Sequence, residues 1–219
     1  MPRPFPPLYA ILDVAAVDSE ASIPEALAES GVRLIQLRGK QASARAIFGA
    51  SKSLVARLSP KGVRIMVNDR PDIAAMVGAG GVHVGQDDLP VDAARPLCGA
   101  GRWVGVSTHN LEQLQLADGT SADYIAVGPI FSTATKENPD PVVGLDLLRD
   151  ARRLTRKPLV AIGGITIRSA ESVYRAGADS VAIVSDLLSA ADPAQRAREY
   201  FVIAERVLAE RSEQRGRSN

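Results

Sequence analysis

One cysteine, two histidines and no surplus of either charge leave this 219-residue chain without several common sources of chemistry. The lone cysteine, Cys98, cannot form an intrachain disulfide, fits a reducing cytosol and reads as a small buried apolar residue rather than a nucleophile. Two scattered histidines, His83 and His109, are poor material for a histidine metal centre. The 26 basic and 25 acidic residues are spread along the chain and leave a formal net charge of +1, so no broad footprint for nucleic acid or an anionic membrane exists. Any anion must be held by a local site. No uncharged apolar stretch approaches about 18 residues, and residues 1–7 are too rich in proline for a signal peptide. The chain therefore reads as soluble and cytoplasmic, with no membrane partner. Neither a GxGxxG after the first strand nor a GxxxxGK[ST] is present, which removes the usual dinucleotide and P-loop readings of an open sheet.

What is present is regular alternation. With 46% hydrophobic and 23% charged residues, the chain can bury one full core but is short for two enzyme domains. Short apolar or β-branched runs recur over 8–12, 34–37, 64–67, 81–84, 103–106, 124–127, 159–162 and 180–184. Between and after them the spacing predicts helices over 23–30, 42–58, 72–77, 91–97, 111–117, 145–154, 169–176 and 193–208. Continuous apolar strands alternating with helices imply parallel pairing through right-handed crossovers. Eight such units in so compact a chain point to a single-domain (β/α)8 TIM barrel, slightly below the usual length of about 250 residues for that fold. The barrel is expected over 1–210, with 211–219 a polar, disordered tail.

In such a barrel chemistry lies at the C-terminal ends of the strands. After the second run Gln36, Arg38 and Lys40 alternate with Leu37 and Gly39, so a period of two puts three polar side chains on one face. Arg and Lys both suit phosphate oxygens, although a strand emerging into water with solvated charges gives the same pattern. The third run ends on Asn68 and Asp69, the fourth on Asp87 and Asp88. One acid from each of two adjacent strand ends, Asp69 and Asp88, suits Mg2+, which takes few protein carboxylates and completes its octahedron with water and substrate phosphate. Helix capping by Asp87 or Asp88 near Pro90 is the competing reading, and Asp72 and Asn110 are candidate helix starters. Ser107 ends the fifth run where it can hydrogen-bond inside the mouth, followed by His109, a proton carrier or a solvated side chain. His83 lies within an apolar strand and reads as a satisfied core group. The long segment 128–141 contains Thr133, Thr135 and Lys136 and reads as a binding loop or lid. Gly163-Gly164 and Val184-Ser185 end the seventh and eighth strands, the usual phosphate site of these barrels.

Taken together, these motifs resemble the thiamine phosphate synthase family. The resemblance rests on Gln36-Leu37-Arg38-Gly39-Lys40, Val67-Asn68-Asp69-Arg70-Pro71-Asp72, His83-Val84-Gly85-Gln86-Asp87-Asp88, Gly105-Val106-Ser107, Gly128-Pro129-Ile130-Phe131, Thr133-Ala134-Thr135-Lys136, Ala161-Ile162-Gly163-Gly164-Ile165 and Val184-Ser185, in that order. It implies an enzyme that condenses 4-amino-2-methyl-5-hydroxymethylpyrimidine diphosphate with 4-methyl-5-(2-hydroxyethyl)thiazole phosphate, giving thiamine phosphate and diphosphate. It further implies that Gln36, Arg38, Lys40, Asn68 and Lys136 hold the pyrimidine diphosphate, with Asp69 and Asp88 on Mg2+ and Ser107 near the pyrimidine. Thr133, Thr135, Gly164, Val184 and Ser185 would hold the thiazole phosphate. The expected chemistry is dissociative, with Arg38, Lys40 and Lys136 stabilising the departing diphosphate and no protein nucleophile. Rival readings are a thiazole tautomerase-like paralogue, a non-catalytic phosphate-ligand barrel and a ribulose-phosphate epimerase-like barrel. The paired acids and the cationic set favour the synthase, and a homo-oligomer is left open.

Overall fold

The computed structural model describes residues 5–17, 23–133 and 141–217. Eight parallel strands close into a barrel in sequence order: β1 (Leu8–Asp13), β2 (Leu34–Arg38), β3 (Arg64–Asn68), β4 (Gly81–Val84), β5 (Trp103–Thr108), β6 (Tyr124–Val127), β7 (Leu159–Ile162) and β8 (Ser180–Ile183). Helices α1 (Val14–Val17), α2 (Ile23–Glu29), α3 (Ala44–Leu58), α4 (Pro71–Val77), α5 (Val91–Cys98), α6 (Leu111–Asp118), α7 (Gly144–Leu154), α8 (Ile167–Ala176), α9 (Ser185–Leu188) and α10 (Pro193–Arg217) follow or connect them. The eight strands and the main helices form where the hydrophobic runs and the helical spacing place them. The short α1 and α9 were not anticipated, because four residues carry too little periodicity to register. Among the described residues no helix is long and apolar enough to cross a membrane.

Strand period divides the apolar residues into two cores. Leu8, Ala10 and Leu12 of β1 point outward to the helices, as do Ile35 and Leu37 of β2 and Ile65 and Val67 of β3, and all belong to the layer between sheet and helices. Helix α3 shows how that layer is built. Ser43 caps it by accepting a hydrogen bond from the Ala46 amide at 3.2 Å, and its buried Ile47, Ala50, Leu54 and Leu58 recur at three or four residues. Complete burial of a leucine such as Leu54 or Leu58 contributes about 1.5–3 kcal/mol.

Alternate residues fill the barrel interior: Tyr9, Ile11, Leu34, Met66, Tyr124, Ala126, Val160 and Ala182. The N-terminal end of this interior is plugged. Phe5 stacks on Trp103 with ring centroids 5.1 Å apart, and the Arg64 guanidinium lies 4.0 Å from the centre of the Trp103 ring. Tyr124 crosses the axis over β5 because Gly105 leaves room for it; a Cβ at Gly105 would stand 2.0 Å from Tyr124 Cζ. Below the sheet two aspartates repeat one device. Asp123, just before β6, accepts from the Val104 amide and pairs with Arg95, whereas Asp179, just before β8, accepts from the Leu159 amide and pairs with Arg152.

The C-terminal helix runs past residue 210 among the described residues. Helix α10 continues through Arg217, and the Arg211 guanidinium donates to the carbonyls of Tyr174, Gly177 and Ala178 at the end of α8. Carbonyls at and just beyond a helix C-terminus carry partial negative charge, and a cation is favourable there. Composition alone could not show that partner, because it lies more than 30 residues away in sequence.

Candidate active site

A cavity of about 750 Å³ opens at the C-terminal ends of the strands. Gln36, Arg38, Lys40, Asn68, Asp69, Asp88, Ser107, Thr133, Gly164, Val184 and Ser185 all line it. Thr135 and Lys136 lie outside the described residues.

The charged wall comes from β2, β3 and the turn after β4. Gln36 and Arg38 point inward at alternate positions, and Lys40 stands 3.1 Å from the Asp69 carboxylate. Asp69 has φ of 61°, in the left-handed region that a residue with a Cβ occupies at a cost, while its amide donates to the His83 carbonyl at 2.8 Å. That conformation turns the side chain from the strand axis into the mouth. The Asp88 carboxylate is held by the Gly85 amide at 2.7 Å, so the tight turn after β4 fixes it. Asp88 does not cap α5, whose N-cap is Pro90 without a side-chain bond. Asp72 pairs with Arg70 instead of capping α4, whereas Asn110 does cap α6 by accepting from the Gln113 amide.

Asp69 and Asp88 lie within hydrogen-bonding reach of each other. Burial and the neighbouring Asp88 carboxyl push the Asp69 carboxyl above its usual range, against the opposing pull of Lys40. Two carboxylates forced together, one on a strained backbone, are a donor set that a hard divalent cation would relieve, so the residues fit Mg2+. No cluster of three or more His, Cys, Asp or Glu occurs among the described residues.

The floor is polar and continuous. Tyr9 donates to Gln36 Oε1 at 3.1 Å, and its hydroxyl is 3.0 Å from that of Tyr124. His83 Nδ1 is 3.0 Å from the Tyr124 hydroxyl and His83 Nε2 is 2.9 Å from Ser107 Oγ. Burial lowers the His83 pKa to about 4 and raises those of Tyr9 and Tyr124, so all three are neutral at physiological pH. His83 is thus a satisfied core group, and it also lines the cavity. The sequence signal for this second role is register: Gly81 and His83 share the inward face of β4, as Gly105 and Ser107 do on β5.

The opposite wall is stitched together by backbone. Ile130 and Phe131 amides donate to the carbonyls of Ile162 and Gly163, which lays the segment after β6 onto the end of β7. Gly164, at φ of 62°, approaches so closely that a Cβ would stand 2.3 Å from the Ser132 carbonyl oxygen. Strand order puts Thr133, Gly164, Val184 and Ser185, which follow β6, β7 and β8, on the side of the mouth away from the two acids after β3 and β4. His109 also faces the cavity, with Nδ1 2.6 Å from the Gly128 carbonyl oxygen, so it is engaged rather than solvated. Asp13, Gln86, Gln113 and Ser132 line the cavity as well and were not singled out from the sequence. The turn residues among them bear no periodic or motif signal.

A family described as "Thiamine monophosphate synthase" matches residues 8–187. A thiamine-phosphate synthase of Koribacter versatilis is 52% identical over 205 residues, covering 91% of this chain and 96% of the relative. One from Azorhizobium caulinodans is 39% identical over 209 residues, 94% of this chain and 98% of the relative. Among solved structures, a thiamine phosphate pyrophosphorylase from Pyrococcus furiosus superposes with a TM-score of 0.82 at 31% identity, covering 92% of this chain and 96% of that one.

Proposed function

The chain belongs to the thiamine monophosphate synthase family, and from that premise we propose how the mouth of this barrel carries out the synthase reaction. As a transferase of that family it condenses the aminopyrimidine diphosphate with the thiazole phosphate to give thiamine phosphate and diphosphate. The observation that carries the assignment of roles is the meeting of Asp69, Asp88, Lys40 and Arg38 on one wall, opposite a wall of hydroxyls and glycine backbone.

Gln36 and Ser107 receive the pyrimidine at the floor, and Arg38, Lys40 and Asn68 receive its diphosphate. Asp69 and Asp88 hold Mg2+. Held by these two carboxylates, the ion would supply charge neutralisation to the diphosphate. Lys136, from the segment after β6, is assigned to the same diphosphate and Thr135 to the thiazole phosphate on the strength of the sequence motif. Thr133, Gly164, Val184 and Ser185 seat the thiazole phosphate, with the close backbone approach at Gly164 leaving no side chain in the anion's way.

Breaking the bond between the pyrimidine methylene and the diphosphate oxygen sends the electron pair to the departing diphosphate. The cationic methylene left behind draws electrons from the 4-amino group through the ring. Arg38 and Lys40 hold charge in place on the leaving group before it develops, so no reorganisation is needed at the moment of cleavage. The thiazole nitrogen, fixed by its phosphate on the far wall, then donates its lone pair to the methylene. No described side chain is needed as a nucleophile.

The test is to incubate the purified protein with both heterocycle phosphates, with and without Mg2+, and to follow thiamine phosphate and diphosphate. Product that requires the metal is expected. Equal rates after exhaustive chelation refute the placement of Mg2+ on Asp69 and Asp88, and absence of product in both refutes the reaction.

A further inference from the structure

The hydrogen bonds that cross the barrel floor have a direction, and the direction can be worked out from one end. Tyr9 spends its only hydroxyl hydrogen on Gln36 Oε1, so it must accept from Tyr124. Tyr124, having donated its hydrogen, can only accept from His83, which makes His83 the Nδ1–H tautomer. Its Nε2 is then a bare acceptor, and Ser107 donates to it. Each group has one hydrogen to give, so fixing one end fixes the other. Gln36 is left with amide hydrogens for the cavity, and Ser107 with oxygen lone pairs.

We propose that this relay through Tyr9, Tyr124 and His83 sets the donor and acceptor pattern of the cavity floor and so selects an aminopyrimidine over an oxopyrimidine. The inference rests on the functional reading above and names three positioning residues within it. A 4-aminopyrimidine offers ring-nitrogen lone pairs to the Gln36 amide and an amino hydrogen to the Ser107 oxygen. A 4-oxopyrimidine places a carbonyl oxygen where the amino group was and a hydrogen on a ring nitrogen, so acceptor meets acceptor and donor meets donor. Sites that hydrogen-bond one pattern reject its inverse strongly, because buried polar groups are left unpaired. The relay also serves the chemistry: Ser107, accepting an amino hydrogen, increases the electron release that supports the cationic methylene.

The reverse polarity is self-consistent too. Turning the Gln36 amide over would make His83 the Nε2–H tautomer and Ser107 a donor to the cavity, which is the pattern for an oxopyrimidine. The two states are therefore distinguishable at His83 without any substrate. Either state of the relay has His83 neutral, with one ring nitrogen donating and the other accepting.

Two measurements test this. Nitrogen-15 NMR of the unliganded enzyme should show His83 as the neutral Nδ1–H tautomer, converting to Nε2–H in Tyr124→Phe, where Nδ1 has lost its acceptor. An Nε2–H tautomer in the unaltered enzyme overturns the proposal. Secondly, kcat/KM is compared for the 4-amino and 4-oxo pyrimidine diphosphates in the unaltered enzyme, Tyr9→Phe and Tyr124→Phe. The amino-to-oxo ratio should fall at least about tenfold in both variants, which differ from the enzyme by one oxygen each. An unchanged ratio, with both substrates slowed alike, leaves the tyrosines a structural role and overturns the relay. Failure of the unaltered enzyme to use either pyrimidine overturns the functional reading and the selectivity with it, while the His83 tautomer still reports whether the hydrogens are ordered as described.

Discussion

Asp69 concentrates the cost of the site in one residue. It combines a left-handed backbone with a carboxyl crowded by Asp88 and only partly balanced by Lys40. Replacing either acid with alanine relieves the crowding while removing a proposed metal ligand, so stability should hold or rise as activity falls. By comparison with loss of one preorganised electrostatic group, we expect about 3 kcal/mol in the barrier, or about a hundredfold in kcat. Steady-state rates paired with thermal melts of Asp69→Ala and Asp88→Ala check this, and near-normal turnover would reject the assignment. A second residue-scale prediction concerns His83. Its pKa is about 4 in the folded protein against a model-peptide value of about 6.5, so the unfolded chain binds more protons between those limits. Stability therefore rises with pH through this window and is lost as pH falls from about 6.5 to about 4. The full loss from this group is of order 3 kcal/mol. Denaturant midpoints at a series of pH values should show the decline, and His83→Asn should flatten it.

At the scale of elements, strands were legible because they are buried on both faces, and the site was legible because barrel strands deliver their last inward residues to one mouth. Gln36, Arg38, Asp69 and Ser107 could be found by following each strand to its end. The carboxylate of Asp88 could be found but its anchor could not, since the Gly85 amide that holds it belongs to a turn with no period. The tyrosine relay was illegible for a different reason. Tyr9 and Tyr124 are 115 residues apart, and each lies in a run whose apolar neighbours make it look like core. Glycine positions offer the sharpest tests at this scale. Gly105→Ala would drive a methyl into the Tyr124 ring, an overpacking that costs about 1–3 kcal/mol and should appear as a lowered melting temperature. Gly164→Ala would press against the Ser132 carbonyl and displace the segment after β6. Its effect should fall on KM for the thiazole phosphate, leaving KM for the pyrimidine diphosphate within about twofold, because the two walls are built from different strands. A parallel rise in both constants would show that the walls are not separable.

Across the whole molecule, closure of the helical ring depends on α10, which lies between α8 and α2. Arg211 joins its far end to α8 through three carbonyls and lies 3.7 Å from Asp179, which itself pins β7. We propose that the folded unit extends past residue 210 to include this anchor. Arg211→Ala should cost about 1–3 kcal/mol and lower the melting temperature by several degrees, without altering KM for either substrate. Truncation after residue 210 that left the melt unchanged would show the anchor to be dispensable.

The stacked Phe5 and Trp103, with the Arg64 guanidinium over the Trp103 ring, close one end of the barrel, and the cavity opens at the other. Traffic through one doorway has a sequence imposed on it. On the proposed assignment of seats, the guest at the bottom, between Gln36 and Ser107, must arrive before the guest at the rim beside Gly164 and Ser185. Initial-rate patterns should accordingly be those of compulsory order with the pyrimidine first, and an excess of the thiazole phosphate should slow the reaction by barring the way.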